Sequence, residues 1–153
     1  MGEGGVARIV VADDQEVVRK GIEGTLDGHP HLKVCGRAAN GQEAIDIVLE
    51  LKPDLVILDL SMPVLGGFQA ALKIRQLAPA VKILIFSIHE SQLIEQMCFL
   101  VGAHAYLRKS ATGQDLISTI NSVLNLDGNS HLLPTRAGQP SETLRNSDSQ
   151  EPA

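Results

Sequence analysis

Apolar and polar residues alternate along the chain in blocks that predict five strands, each followed by a helix. Short apolar runs rich in β-branched residues are typical of strands, and they occupy residues 7–12, 31–36, 55–58, 81–86 and 103–107. Apolar residues at helical spacing predict helices over 15–26, 42–51, 68–77 and 91–101, and a fifth that Thr112 caps. Five such alternations predict an α/β protein whose parallel sheet is covered on both faces. Right-handed crossovers make that sheet doubly wound. The run at 31–36 is short and polar, as suits an edge strand.

Composition narrows the class of protein. The chain has 153 residues, of which 44% are apolar and 20% charged, as in a soluble globular domain. We expect a cytoplasmic protein without membrane contact, because no apolar run reaches about 18 residues and the N-terminus lacks signal-peptide features. A net charge of −5 and the absence of Trp argue against direct binding of nucleic acid by this chain. Cys35 and Cys98 match no metal-binding spacing, so we expect buried, reduced thiols.

The composition changes near Pro134 to mostly Pro, Ser, Thr, Asn, Gln and Glu. Such a segment buries too little apolar surface to offset the entropy of ordering, so we predict that residues 134–153 are disordered. The predicted organisation is an N-terminal extension (1–6), one folded domain (7–126) and a linker-like segment with the disordered tail (127–153).

Polar residues stand where four of the predicted strands end. They are Asp13 with Asp14, Asp59, Ser87 and Lys109. The carboxyl ends of parallel strands share one rim of a sheet, so these side chains are expected to converge. Clustered carboxylates suit Mg²⁺, and a lysine and a hydroxyl beside them can hold an anion against a carboxylate, as phosphoryl transfer requires.

Each of these residues also has an ordinary interpretation. Asp13 could cap the first helix and Asp14 compensate its dipole, Ser87 could belong to a turn, and Lys109 could be a solvated charge. Tyr106 could be a packed strand aromatic. Only the complete set, in this order and at these strand ends, indicates a phosphoryl site.

The set resembles the receiver domain of two-component response regulators. The resemblance rests on Asp13-Asp14, on Asp59 within LDLSMPVLGG, on Ser87 and on YLRK at 106–109, and it covers residues 7–126. The words VRKGIEGTL, GRAANGQEAI and GAHAYLRKS are similar to receivers of helix-turn-helix regulators of the nitrate-regulator (NarL/FixJ) type. The resemblance implies a flavodoxin-like fold with five parallel strands in the order 2-1-3-4-5 and five helices.

It also implies the chemistry. Asp59 would accept a phosphoryl group from a sensor histidine kinase, a phosphotransfer protein or a small phosphodonor, and Lys109 would pair with the phosphoryl oxygens. The domain would catalyse only its own phosphorylation and dephosphorylation, without a separate substrate. The implied Mg²⁺ ligands are Asp13, Asp14, Asp59 and the backbone carbonyl of Ser61.

A conformational switch is implied as well. Ser87 would move to hydrogen-bond the phosphoryl group, and Tyr106 would swing inward behind it. Two positions depart from the common pattern: Ser87 stands where threonine is commoner, and Ser110 where many receivers have proline. A cis peptide at Lys109–Ser110 is therefore in doubt, because it would cost about 3–4 kcal/mol without proline.

Two other classes of protein are excluded, because the residues that each would need are not at the required positions in this sequence. A haloacid-dehalogenase-type phosphatase needs an aspartate at position 61, where this chain has Ser61. The glycines at 2–5 precede the first strand, so they cannot cradle a dinucleotide at a helix N-terminus. Two outputs stay open: a phosphoacceptor that controls a partner or forms a phosphorylation-dependent homodimer, and the receiver part of a DNA-binding regulator.

Overall fold

The computed structural model describes residues 5–125, and it contains the five strands and five helices that the sequence predicts. The strands are β1 (Ala7–Ala12), β2 (Leu32–Ala38), β3 (Leu55–Leu58), β4 (Lys82–Ser87) and β5 (Ala105–Arg108). The helices are α1 (Glu16–Asp27), α2 (Gly41–Leu51), α3 (Gly67–Leu77), α4 (Gln92–Leu100) and α5 (Gly113–Val123).

The strands form one parallel sheet in the order β2-β1-β3-β4-β5, which confirms the expected topology. β2 lies at the edge, as its polar sequence predicts. It continues to Ala38, beyond the predicted end, and a register shift between Ile9 and Val10 pairs Val10 with Gly36 rather than with Cys35. β3 is central, and all its residues are buried.

Alternate residues of each strand point to opposite faces, so the sheet has a core on both sides. On one side α2, α3 and α4 pack against a set that includes Val10, Val56, Ile83 and Tyr106. On the other side α1 and α5 pack against a set that includes Ile9, Ile57, Leu84 and Leu107. This two-sided burial explains the nearly continuous apolar runs.

Several helix ends are fixed by side chains. Thr112 and Asp115 form a reciprocal capping box at α5, which confirms the predicted cap. The α4 helix ends at Leu100 with Val101 as its C-cap, and Gly102 follows with φ of 114°, a conformation that favours glycine.

Other expectations can also be compared with the structure. Cys98 is buried as predicted, whereas Cys35 is only half-buried on the edge strand; both are free thiols. None of the helices within residues 5–125 is long and apolar enough to cross a membrane. The first four residues of the predicted extension, the last residue of the predicted domain and the whole segment 127–153 lie outside the described residues.

Candidate functional site

The end of the central strand places Asp59 in a buried position. Asp59 is 5% exposed, and its backbone N–H donates a hydrogen bond to the carbonyl of Ala12 at 2.9 Å. The start of α3 passes directly against this backbone, since a Cβ on Gly67 would lie 2.0 Å from the Asp59 carbonyl oxygen. Only glycine permits that approach, so the glycine pair after the central strand helps to position Asp59.

The end of β1 brings two further carboxylates to the same rim. Asp13 is buried and Asp14 is exposed. Carboxylate oxygens of Asp13, Asp14 and Asp59 all lie within 4.8 Å of one another. Gln15, not Asp13, stands at the N-cap of α1, and its backbone N–H donates to Asp13 Oδ1 at 2.9 Å.

Lys109 joins two of these carboxylates. Its Nζ lies 2.7 Å from Asp13 Oδ2 and 3.3 Å from Asp59 Oδ1. The lysine follows β5, and its backbone N–H donates to the carbonyl of Ser87 at 2.8 Å, which fixes where the side chain starts. The interpretation of Lys109 as a solvated surface charge is therefore wrong.

The electrostatic balance at Asp59 favours its neutral form relative to water. Burial raises the pKa of the Asp59 carboxyl, and the Asp13 charge raises it further. Lys109 and a hydrogen bond from the Ser61 backbone N–H act in the opposite direction. The site thus holds a carboxylate under electrostatic strain, which an additional cation would relieve.

The donor set fits Mg²⁺. Three carboxylates supply hard oxygen atoms within one small region, and the exposed Asp14 leaves a side open to solvent and waters. Ser61 lies beside Asp59 through its backbone N–H. The role of the Ser61 carbonyl as a ligand stays a prediction.

Ser87 and Tyr106 lie on the neighbouring strands and are both buried. The Ser87 Oγ accepts the backbone N–H of His89 at 3.1 Å, and the Ser87 hydroxyl also hydrogen-bonds the Tyr106 hydroxyl. The Tyr106 hydroxyl donates to the carbonyl of His89 at 2.8 Å, and burial raises the pKa of this tyrosine. Tyr106 is thus in an inward position.

His89 contacts Ser61, Ser87 and Tyr106, and no spacing pattern in the sequence points to it. Its ring Nε2 lies 3.3 Å from Ser61 Oγ, while its backbone binds Ser87 and Tyr106. A single histidine in a polar loop has no periodic partner, so only the tertiary contacts reveal its position. All peptide bonds within residues 5–125 are trans, including Lys109–Ser110.

A parallel sheet of this order, with a buried aspartate set between a lysine and an acidic pair at the strand ends, defines a phosphoacceptor signalling domain. The response regulator receiver domain model matches residues 9–121. The chain belongs to the response regulator receiver family.

Individual relatives agree with this family. The chain is 38% identical over 112 residues to the uncharacterized transcriptional regulatory protein YhcZ of Bacillus subtilis, covering 73% of this chain and 52% of YhcZ. It is 35% identical over 115 residues to the response regulator UvrY of Escherichia coli, covering 75% and 53%. A crystal structure of a LuxR-family two-component response regulator from Aurantimonas superposes with a TM-score of 0.76 at 35% identity, covering 78% of this chain and 86% of that one.

The similarity to nitrate-regulator-type receivers is confirmed by the signal receiver domain of NarL from Mycobacterium tuberculosis, which superposes with a TM-score of 0.76 at 27% identity, covering 78% of this chain and 97% of that one. The chain spans about half the length of the curated relatives that it matches.

Proposed function

We propose that this receiver takes a phosphoryl group onto Asp59 in a Mg²⁺-dependent reaction and thereby controls an output. One observation carries the proposal: Asp59 is buried with its carboxylate 3.3 Å from Lys109 and beside the acidic pair. A buried carboxylate that shares a lysine with another is costly for stability, so its placement indicates a chemical role.

In the proposed reaction a carboxylate oxygen of Asp59 attacks phosphorus. The donor is a phosphohistidine of a sensor kinase or phosphotransfer protein, or a small acyl phosphate. The bond from phosphorus to the donor breaks; a leaving imidazole takes a proton from solvent, whereas the carboxylate that leaves from an acyl phosphate needs none. Lys109 binds phosphoryl oxygens. Mg²⁺ held by the three aspartates would neutralise charge on the phosphoryl oxygens.

Ser87 and Tyr106 form the proposed switch. The Ser87 hydroxyl would exchange its contact with Tyr106 for one with a phosphoryl oxygen, while its Oγ still accepts from His89. Tyr106 is bound to the same loop residue, so a shift of that loop changes the packing of the aromatic ring. The loop leads into α4, and the change therefore reaches the surface of that helix.

The outer face of α4 is the proposed output surface. Leu93, Met97 and Leu100 lie at helical spacing and are exposed by 65%, 42% and 85%. Such a face supports contact with a partner or a phosphorylation-dependent homodimer. The names of the curated relatives favour transcription control, so we propose that the receiver regulates a DNA-binding part of a longer protein and does not itself bind DNA.

Acetyl phosphate and MgCl₂ test the chemistry. We expect intact-mass spectrometry to show one added phosphoryl group on the unaltered protein and none on Asp59→Asn. Asp46→Asn is the matched control, because Asp46 is exposed on α2, away from the strand ends. Undiminished phosphorylation of Asp59→Asn would contradict the proposal.

A further inference from the structure

Among the described residues, four contact Asp13, two through its backbone and two through its carboxylate. Its N–H donates to the carbonyl of Ala38 on β2 at 3.0 Å. Its carboxylate binds Lys109 and the N–H of Gln15. Its carbonyl oxygen accepts a hydrogen bond from Arg19 Nη1 at 2.6 Å. This last contact is made by a long side chain that returns from the second turn of α1.

Asp14 depends on that backbone for its direction. Within residues 5–125, no hydrogen bond or ion pair holds the Asp14 carboxylate, which is exposed. The side chain therefore points where the Asp13–Asp14 peptide directs it. Arg19 donates a hydrogen bond to the carbonyl of this same peptide, so it fixes the orientation of the peptide plane from which Asp14 projects.

Arg19 lies in the field of an acidic residue on its own helix. Glu23 lies one turn further along α1, and the pKa of its carboxyl is lowered first by a hydrogen bond from Arg37 and also by the charge of Arg19. Arg37 belongs to β2. The contact that fixes the Arg19 guanidinium is thus its hydrogen bond to the Asp13 carbonyl, and the Glu23 charge attracts it only at longer range.

We propose that Arg19 is a positioning residue for the cation site, acting through the Asp13–Asp14 peptide. The inference rests on the proposed function, since it assumes that the three aspartates bind Mg²⁺. Charge and geometry predict opposite effects here. Removing a positive charge beside the site strengthens cation binding by electrostatics alone, whereas losing the hydrogen bond to Asp13 weakens it by releasing Asp14.

Titration calorimetry with MgCl₂ separates the two effects. We compare Arg19→Gln with Lys20→Gln, which removes the same charge from the adjacent residue of α1. Lys20 is a matched control because it is exposed and pairs only with Glu16 among the described residues. We expect the Mg²⁺ dissociation constant of Arg19→Gln to rise about tenfold, the lower end of what loss of a ligand-orienting group costs. Lys20→Gln should not weaken binding.

The Mg²⁺ dependence of the phosphorylation rate distinguishes a positioning role of Arg19 from a general loss of reactivity at Asp59. With acetyl phosphate, the half-saturating Mg²⁺ concentration for Arg19→Gln should rise by the same factor as the dissociation constant. Its rate at saturating Mg²⁺ should stay within about twofold of the control, because Asp59 and Lys109 are unchanged. Binding by Arg19→Gln as tight as by Lys20→Gln would overturn the inference, as would a loss confined to the saturated rate. If instead Asp14→Asn and Asp59→Asn bind Mg²⁺ as tightly as the unaltered protein, the proposed function fails rather than the role of Arg19.

Discussion

Asp59→Asn should make the metal-free protein more stable at neutral pH. The substitution removes a charge from a buried site and keeps one carbonyl oxygen that can accept the Ser61 N–H. Because the pKa of Asp59 is raised in the folded protein, the folded state binds this proton more tightly than the unfolded state. The free energy of unfolding therefore falls as pH rises from 3.8 through the folded pKa, and the full penalty is present above it.

The size of this gain in stability depends on repulsion between carboxylates, attraction by Lys109 and the burial of Asp59. At an effective dielectric constant of about 20, two carboxylates at the 4.8 Å limit repel by about 3.5 kcal/mol. Lys109 at 3.3 Å attracts Asp59 by about 5 kcal/mol on the same scale, but Asp13 shares this lysine at 2.7 Å. Burial is the largest influence on the pKa and, together with Asp13, it outweighs the lysine. The direction of the pKa shift therefore predicts a net gain for Asp59→Asn, and stabilising substitutions commonly contribute about 0.5–2 kcal/mol.

Urea unfolding, with EDTA and with MgCl₂, measures this gain. Mg²⁺ should stabilise the unaltered protein, because it binds the folded state, and should stabilise Asp59→Asn much less. The advantage of the variant should also shrink as pH is lowered toward 3.8. Asp46→Asn, an exposed control, should stay within about 0.5 kcal/mol of the unaltered protein. A metal-free Asp59→Asn that is less stable than the unaltered protein at neutral pH would refute this reasoning.

Three further predictions concern pH dependence, the switch and a loop. Burial lowers the pKa of His104 to about 4 while its Nδ1 accepts the Ile83 N–H, so the unfolded state binds more protons between pH 6.5 and 4. The unfolding free energy should therefore fall by about 1 kcal/mol between about pH 7.5 and 5, half of the unscreened value, and His104→Asn, which keeps the acceptor, should show a shallower loss. Ser87→Ala should still accept phosphate on Asp59, but sedimentation should show no association in response to beryllofluoride; a full response would exclude the hydroxyl from the switch. Val64 is β-branched with φ of 67°, so in chemical unfolding Val64→Gly should be no less stable than Val64→Ala, whereas an unstrained site would leave the glycine variant about 1 kcal/mol weaker.

The strands and helices could be predicted because a strand that is buried on both faces of the sheet has an uninterrupted run of apolar residues in its sequence. The Val56–Leu58 run is apolar throughout since each residue contacts a helix layer. No short stretch of sequence indicates the strand order, because the order depends on which distant strands pair with each other. The order was therefore expected only from the resemblance to receiver domains. The start of β5 was placed too early for a physical reason: the ring of His104 takes the Ile83 N–H in place of a backbone carbonyl, so the regular ladder begins only at Ala105.

The acidic pair, Asp59 and Lys109 could be predicted as a group because parallel strands end on one rim. Charged residues are unusual directly after an apolar strand segment, so these residues can be recognised from the sequence. The residues that support them are chemically ordinary. Arg19 occupies a position on α1 where a solvated cation is expected, and only the 2.6 Å contact with the Asp13 carbonyl shows what it holds.

This difference has a consequence for how the site can be altered. As a proposed ligand, Asp14 would contribute its oxygen directly, whereas its direction would be set through the backbone by Arg19, which is not an acidic residue. Changes at Arg19, at Gly67 beside the Asp59 carbonyl, or at His89 beside Ser61 would leave every predicted site residue in the sequence and still move the groups that must converge. Two receivers with the same acidic pair, aspartate and lysine can therefore differ in cation affinity and in switching, and the cause lies in the side chains that hold the backbone at the strand ends.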